Sequence, residues 1–431
     1  MDTIVVYSPE KSSRLRYVLD WLFKERLKLN YSITHNEEVA IKNSCFISYG
    51  KKFEHALSIP DLGLLWDKGT KPHAITTGMW QGLPVLYYQE GHTLPFDLFS
   101  AIFFLLSRYE EYYPFTPDKH GRYPAAESVL YKNGCLKRPL LDEWVWKFRA
   151  LLQEKINFPL MPVLYSFQPT YDIDIAWSYK HKGSFRIAGA YLRDAIKGNA
   201  AQMRERTRVL LHKESDPYDS FDWMRNLHIK YYGKPIYFIL SGMKTTTYDK
   251  NVPPWRPQMR LLVKRLAHEG IIGIHPSYYS GNGPLLHREK KLLETISGKN
   301  IFISRQHYIR LSLPATYQRL IKNSITDDYS MGYGSHLGFR AGTGNSFLWY
   351  DFEQESISNL RVHPFCFMET TAVFEEHLSI PEAFQTLSDM KEKLRLTHSK
   401  LITVFHNFSL GTAKEWAGCR ELYTEFFKKA S

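Results

Sequence analysis

An α/β fold in two parts is what this sequence predicts, on three observations. Short apolar runs of strand length alternate with amphipathic helical patterns along the chain. A segment with two prolines, Asn157 to Pro162, falls between a helical pattern and a new apolar run, and marks a boundary. Beyond that boundary, several apolar runs close on Asp, His or Arg, the arrangement expected where strand ends carry chemistry. These observations assign residues 1–160 to a smaller α/β domain and residues 161–431 to a parallel sheet or barrel.

Composition narrows the function classes. Hydrophobic residues at 44% and aromatic residues at 15% exclude a disordered chain. The apolar start after Met1 is too short for a signal peptide. The most apolar stretch, Phe96 to Leu106, is broken by Asp97 and Ser100 and falls short of the roughly 20 residues that span a bilayer. A cytoplasmic protein without a transmembrane segment is expected. Cys45, Cys135, Cys366 and Cys419 are far apart, which argues against a disulfide framework or a cysteine zinc knuckle. The net charge of +12 has a local basic concentration between Lys180 and Lys213. Such a surface attracts nucleic acid, an anionic membrane surface or an anionic glycan or lipid carrier. No RNA motif, recognition helix or zinc-finger spacing favours nucleic acid, and none is expected as a partner.

In the first part, strands are expected at Thr3–Tyr7, Cys45–Tyr49 and Leu83–Tyr88. A helix over Ser13–Leu29 buries Leu15, Val18, Leu19 and Leu22 on one face. Another spans Leu94–Tyr113, with Pro95 in its first turn. No phosphate loop or dinucleotide fingerprint is present, and residues alone give this part no function.

In the second part, strands are expected at Val163–Ile173, Pro235–Leu240, Ile271–His275, Asn300–Tyr308, Leu360–Met368 and Leu401–His406. Helices such as Met259–His268 and Pro381–Leu396 lie between them. The strands close on Asp172 and Asp174, His275, Arg305 and His307, and His406. Two residues apart on a strand, Asp172 and Asp174 face one side. Two carboxylates converging in a partly buried pocket repel each other unless a proton or cation joins them. A divalent metal with oxygen and imidazole ligands resolves that conflict, one Asp binding it and the other serving as general base.

The order of these segments resembles the NodB-type polysaccharide deacetylases, in a bacterial subgroup with an extra N-terminal α/β domain. Thr170-Tyr171-Asp172-Ile173-Asp174 looks like the family's opening motif, and Gly273-Ile274-His275-Pro276-Ser277-Tyr278-Tyr279 like its second. Ser304-Arg305-Gln306-His307 occupies the place of the third, and Leu401 to His406 fits the last. Asp327-Asp328-Tyr329-Ser330-Met331-Gly332-Tyr333 and Gly338 to Thr343 look like the segment supporting base and substrate. Segments Phe96 to Tyr112, His120 to Pro124 and Asp142-Glu143-Trp144 are similar to the leader domain of that subgroup.

The resemblance implies a distorted (β/α) barrel and a metal-dependent carbohydrate deacetylase using zinc, cobalt or nickel. It implies Asp172 as base, Asp174 and His275 as ligands, His406 as general acid and Arg305 as the tether of Asp172. The second motif's usual histidine is replaced by Tyr279. His307 is the residue expected to take its place, and ligation by Tyr279, fewer ligands or an inactive site are the alternatives. Arg340 is a candidate for binding acetate or a sugar-linked phosphate, Asp328 for supporting the substrate, and Tyr278, Tyr329 and Tyr333 for stacking on a sugar ring. The expected substrate is an N- or O-acetylated sugar or glycan precursor, nucleotide- or lipid-linked, with peripheral membrane contact allowed. A non-catalytic glycan-binding or scaffolding barrel, or a hydrolase of another C–N amide bond, are the competing readings.

Overall fold

Ile4 and Val6 bury one face of β1 (Thr3–Tyr7). With β2 (Asn30–Thr34), β3 (Phe46–Tyr49) and β4 (Leu57–Ile59), β1 forms an all-parallel sheet in the order β2-β1-β3-β4. The computed structural model describes residues 3–42, 46–54, 56–155, 160–231, 233–281 and 284–430. Cys45 and residues 157–159 of the expected boundary lie outside them.

Helix α1 (Ser13–Leu19) starts where the Ser12 hydroxyl accepts the Arg14 and Leu15 amides. The helical pattern read to Leu29 continues as a wider π-type segment, Asp20–Leu27, which ends at left-handed Lys28. The run read as a strand at Leu83–Tyr88 is half of a hairpin, β5 (Thr77–Trp80) with β6 (Leu83–Leu86). Helix α2 (Leu98–Leu106) begins after Asp97 rather than around Pro95, because the Asp97 carboxylate caps the Ser100 amide. It stops before Arg108, whose φ of 55° leaves the helical region. Helix α3 (Leu140–Gln153) packs Trp144 and Phe148 inward.

The second sheet has nine strands. They are β7 (Ser166–Ile173), β8 (Ile236–Leu240), β9 (Ile271–His275), β10 (Ile303–Ser304), β11 (Asp327–Asp328), β12 (Phe347–Asp351), β13 (Ser356–Val362), β14 (Phe367–Met368) and β15 (Lys400–His406). Their order is β12-β13-β11-β10-β9-β8-β7-β15-β14, parallel except for the β12–β13 pair. Among the described residues the two edge strands do not pair, so the sheet is curled and open where a closed barrel has no edge. Its helices include α4 (Ser184–Ile196), α5 (Ala200–Leu210), α6 (Pro257–Glu269), α7 (Leu285–Ser297), α8 (Ala315–Lys322), α9 (Ile380–Leu396) and α10 (Cys419–Ala430). Gly273 sits where strands crowd: a Cβ there would lie 2.6 Å from Phe238 and 3.2 Å from the Ile303 carbonyl.

Two expected strands are corrected. Asn300–Tyr308 contracts to β10, because the chain turns at Tyr308 and Ile309, both with positive φ. Leu360–Met368 is two strands, β13 and β14, separated at His363-Pro364.

A single apolar cluster runs from Ile4 through Trp144 and Tyr171 to Phe427, drawing on both sides of residue 160. Buried polar contacts cross the same divide. Asp142 accepts the Thr343 hydroxyl at 2.7 Å and the Gly344 amide at 2.9 Å. Glu111 grips Arg340 with two hydrogen bonds, of 2.8 and 2.7 Å.

Candidate metal centre and acid–base site

The register of the sheet brings the site together. Asp172 lies opposite His406 across β7 and β15, while His275 ends β9 beside Leu240 of β8. Asp174, just past the end of β7, points the same way as Asp172, as two-residue spacing requires. Nε2 of His275 lies 3.2 Å from Asp174 Oδ1 and 3.7 Å from Asp172 Oδ2. Nε2 of His307 lies 3.3 Å from Asp174 Oδ2.

His307 reaches this point through an unusual backbone. Tyr308 and Ile309 follow it with φ of 57° and 54°. For a β-branched residue such as Ile309 this is a strained conformation, of the kind found at functional sites. Tyr279, by contrast, is 52% exposed and is not among the residues that line the cavity above Asp174, His275 and His307.

Both imidazoles are oriented by hydrogen bonds on their far side. His275 Nδ1 donates to the Arg305 carbonyl at 2.6 Å. A carbonyl only accepts, so Nδ1 carries a proton and Nε2 is the nitrogen turned toward Asp174. His307 Nδ1 meets Asp249 Oδ1 at 3.0 Å, which again leaves Nε2 for the centre. Imidazoles held this way are preorganised for a metal. One oxygen or nitrogen from each of Asp174, His275 and His307 lies within 4.8 Å of the others. Asp174 Oδ1 is buried without a hydrogen-bond partner. An oxygen orphaned beside two imidazole nitrogens fits a divalent cation.

Without a cation, protons take its place. Burial raises the Asp174 carboxyl, but His307 and His275 hold it well below the usual range. Burial lowers His307, yet Asp174 and Asp249 raise it to about 9. Cation binding must displace that proton, so affinity falls as pH drops. Loss of a ligand's outer partner typically costs 10–100-fold in affinity. Competition with a chromophoric chelator should therefore show Asp249→Asn binding zinc about 10–100-fold more weakly. His307→Ala should lose more than that, and Tyr279→Phe nothing. Equal affinity in His307→Ala and the parent would remove His307 from the ligand set.

Asp172 is fully buried and held by a buried arginine. Arg305 Nη1 donates to Asp172 Oδ1 at 2.8 Å and to Thr170 Oγ1 at 2.8 Å, and Nε donates to the Tyr329 carbonyl at 3.0 Å. The guanidinium also lies 4.4 Å over the Phe238 ring. His406 presents Nε2 to the same space, 3.5 Å from Asp174 Oδ2. Its Nδ1 pairs with Glu369 Oε1 at 2.8 Å, and its amide donates to the same oxygen at 2.7 Å. Burial opposes charge on His406, but Glu369 and Asp174 hold it well above its ordinary range.

The group forms the floor of a cavity of about 440 Å³. Its walls include Tyr308, Phe374, Phe408 and Lys250, together with His120 and Arg122 from the first part of the chain. Arg122 donates to the Tyr308 carbonyl at 2.7 Å, so residues of unread purpose shape the mouth.

The expected substrate residues are placed differently. Arg340 is 1% exposed, its guanidinium taken by Glu111 and the Gly332 carbonyl. A buried arginine needs a carboxylate, and the one it finds is 229 positions away. Asp328 is buried, accepting from Ser304 and from the Ser330 amide and hydroxyl, and burial raises its carboxyl to about 6. Tyr329 stacks on His363 at 4.3 Å. These three lie outside the cavity lining. Tyr278 stacks on Tyr248 at 3.9 Å and bonds His120 Nδ1 at 3.0 Å, leaving Tyr248 as the tyrosine of that pair on the cavity wall.

Residues 4–157 match the model of a family of unknown function, DUF7033. No curated protein sequence matches the chain. Among solved structures, a protein from Mycobacterium smegmatis assigned to the polysaccharide deacetylases aligns at 12% identity and a TM-score of 0.39, covering 64% of this chain and 86% of that one. PuuE allantoinase aligns at 10% identity and a TM-score of 0.39, covering 74% and 91%. The catalytic domain of a peptidoglycan N-acetylglucosamine deacetylase from Eubacterium rectale aligns at 9% identity and a TM-score of 0.32, covering 62% and 86%. At such scores the chemistry of the site rests on this chain's own residues.

Proposed function

We propose that the protein is a metal-dependent hydrolase that removes an acetyl group from an N- or O-acetylated sugar or glycan precursor. The observation that carries this reading is one cavity floor holding three metal-competent side chains between a carboxylate fixed by arginine and an imidazole fixed by glutamate. A divalent cation such as zinc, cobalt or nickel, held by Asp174, His275 and His307, supplies Lewis acidity toward a carbonyl and makes water more acidic.

The remaining work falls to the chain. Asp172, pinned by Arg305 and facing the cavity, is the base that takes a proton from the attacking water. His406 is the acid: Glu369 fixes its Nδ1, so Nε2 delivers the proton to the departing nitrogen or oxygen. Tyr308, Phe374 and Phe408 give the cavity faces on which a sugar ring can stack.

Acetate release from N-acetylated sugars, measured with each metal in turn, tests the proposal. The parent should release acetate, and Asp174→Ala should release none above background. No release with any metal, or the same release from Asp174→Ala, overturns it.

A further inference from the structure

Helix α4 is amphipathic in the wrong sense for a helix that packs on a protein core. Phe185, Leu192 and Ile196 are spaced by seven and four residues, which puts them on one stripe. That stripe faces outward: the three side chains are 96%, 64% and 78% exposed. The helix is held to its neighbour by polar contacts instead. Buried Asp194 pairs with buried Arg206 of α5, Nη2 to Oδ2 at 2.5 Å. Tyr191 bonds Thr207 of α5 at 2.7 Å. Single exposed apolar residues are ordinary on a soluble protein, but an aligned stripe of three large ones marks an interaction surface.

The surroundings identify what the stripe meets. Residues 180–213 contain nine Lys and Arg against two Asp and Glu, which is seven of the chain's net twelve positive charges. Both acids are already engaged: Asp194 with Arg206 and Arg193, and Glu205 with the Tyr179 hydroxyl. Lys197, Arg204 and Lys213 are exposed. A second copy of this chain would set these cations against their own kind. An anionic bilayer offers both an apolar layer for the stripe and phosphate charge for the cations.

The loop beside the helix continues the pattern. Arg186, in the first turn of α4, donates to the carbonyls of Lys250 at 3.0 Å and Asn251 at 3.4 Å. That loop exposes Trp255 at 48% and Met243 at 39%. Tryptophan is a side chain favoured at the membrane–water boundary. Lys250 and Tyr248 of the same loop line the cavity above Asp174.

We propose that the outward stripe of α4, with the basic surface of α4 and α5, docks the protein on an anionic phospholipid bilayer. Among the described residues no helix is long and apolar enough to cross a membrane, and the docking is peripheral. It sets the cavity mouth close to the headgroups, where a substrate carried on a lipid would arrive.

Co-sedimentation of the full chain with phosphatidylcholine vesicles, with and without phosphatidylglycerol, tests this. Binding should need phosphatidylglycerol and weaken with salt. The triple variant Phe185→Ser, Leu192→Ser, Ile196→Ser should bind about tenfold more weakly, with an unchanged thermal melt because these side chains are exposed. Lys197→Glu with Arg204→Glu should also weaken binding, but only on anionic vesicles. Three results overturn the proposal: no binding to anionic vesicles, full binding by the triple variant, or a parent dimer in solution that the triple variant dissolves. The readout is binding, so it stands or falls separately from the hydrolase reading.

Discussion

Glu111→Gln should destabilise the protein by about 3–5 kcal/mol, the usual cost of stripping a buried charge of its partner. Glu111 serves two buried arginines. It bonds Arg340 twice and takes Arg108 Nε at 2.8 Å. Those guanidiniums hold its carboxyl below the usual range, although burial alone would raise it. The two arginines are not equally exposed to its loss. Arg108 keeps Glu110 at 2.7 Å, whereas Arg340 keeps the Gly332 carbonyl and the Tyr333 ring but, among the described residues, no second carboxylate. Arg340→Met should therefore cost less than Glu111→Gln, since it leaves Glu111 still paired with Arg108. Urea unfolding at one pH checks the order, and equal or reversed losses would show that Glu111 is not the anchor. Arg340 also steadies the segment that leads to Gly334 on the cavity wall. A Cβ on Gly334 would lie 2.1 Å from the Arg122 guanidinium, which Asp118 and the Tyr308 carbonyl hold in place. Residues 161–431 expressed alone would lack Glu111, and the same argument expects them to be insoluble or poorly folded. The division at 160 is thus a proposal about how the chain is laid out in sequence, with a shared core across it.

Short-range signals made the residues of the cavity floor legible, and long-range pairing hid their supports. Asp172, Asp174, His275, Arg305, His307 and His406 all sit at or just beyond strand ends, where apolar runs stop on a polar residue. Glu369 follows the same rule, directly after β14. Its place is hidden in the sequence because Leu360–Met368 reads as one apolar strand, whereas the chain breaks at His363-Pro364. Asp249 had no such signal, since it lies in a loop and gains meaning only from His307, 58 positions later. Arg340 depends on the same kind of pairing: an arginine in a glycine-rich turn looks free until Glu111 is placed beside it. His120 and Arg122 belong to the part of the chain whose purpose residues alone could not give. Their place on the cavity wall is a consequence of packing between the two parts.

Asp172→Asn should lower kcat for acetate release by roughly 10²–10⁴-fold, the range that a positioned general base contributes. Because Arg305 would lose its charge partner, a thermal melt must accompany the assay, and zinc binding through Asp174, His275 and His307 should persist. The acid side of the reaction is read through pH. His406 must carry a proton to deliver one, and Glu369 and Asp174 favour its protonated form against burial. Of its two acidic neighbours, Glu369 is the one that still faces it when a cation takes up the charge of Asp174. In Glu369→Gln the alkaline limb of the kcat profile should move down by roughly 1–3 pH units, the usual effect of one close opposite charge. The acid limb should stay where it is. Stability follows with a definite sign. A histidine raised in the folded state contributes stability that is full below the unfolded value of about 6.5 and is lost as pH rises through the folded one. The metal-free Glu369→Gln variant should therefore differ from the parent most near pH 6 and least at strongly alkaline pH. An alkaline limb that does not move would mean that His406 is not the acid, or that its proton is held by something other than Glu369.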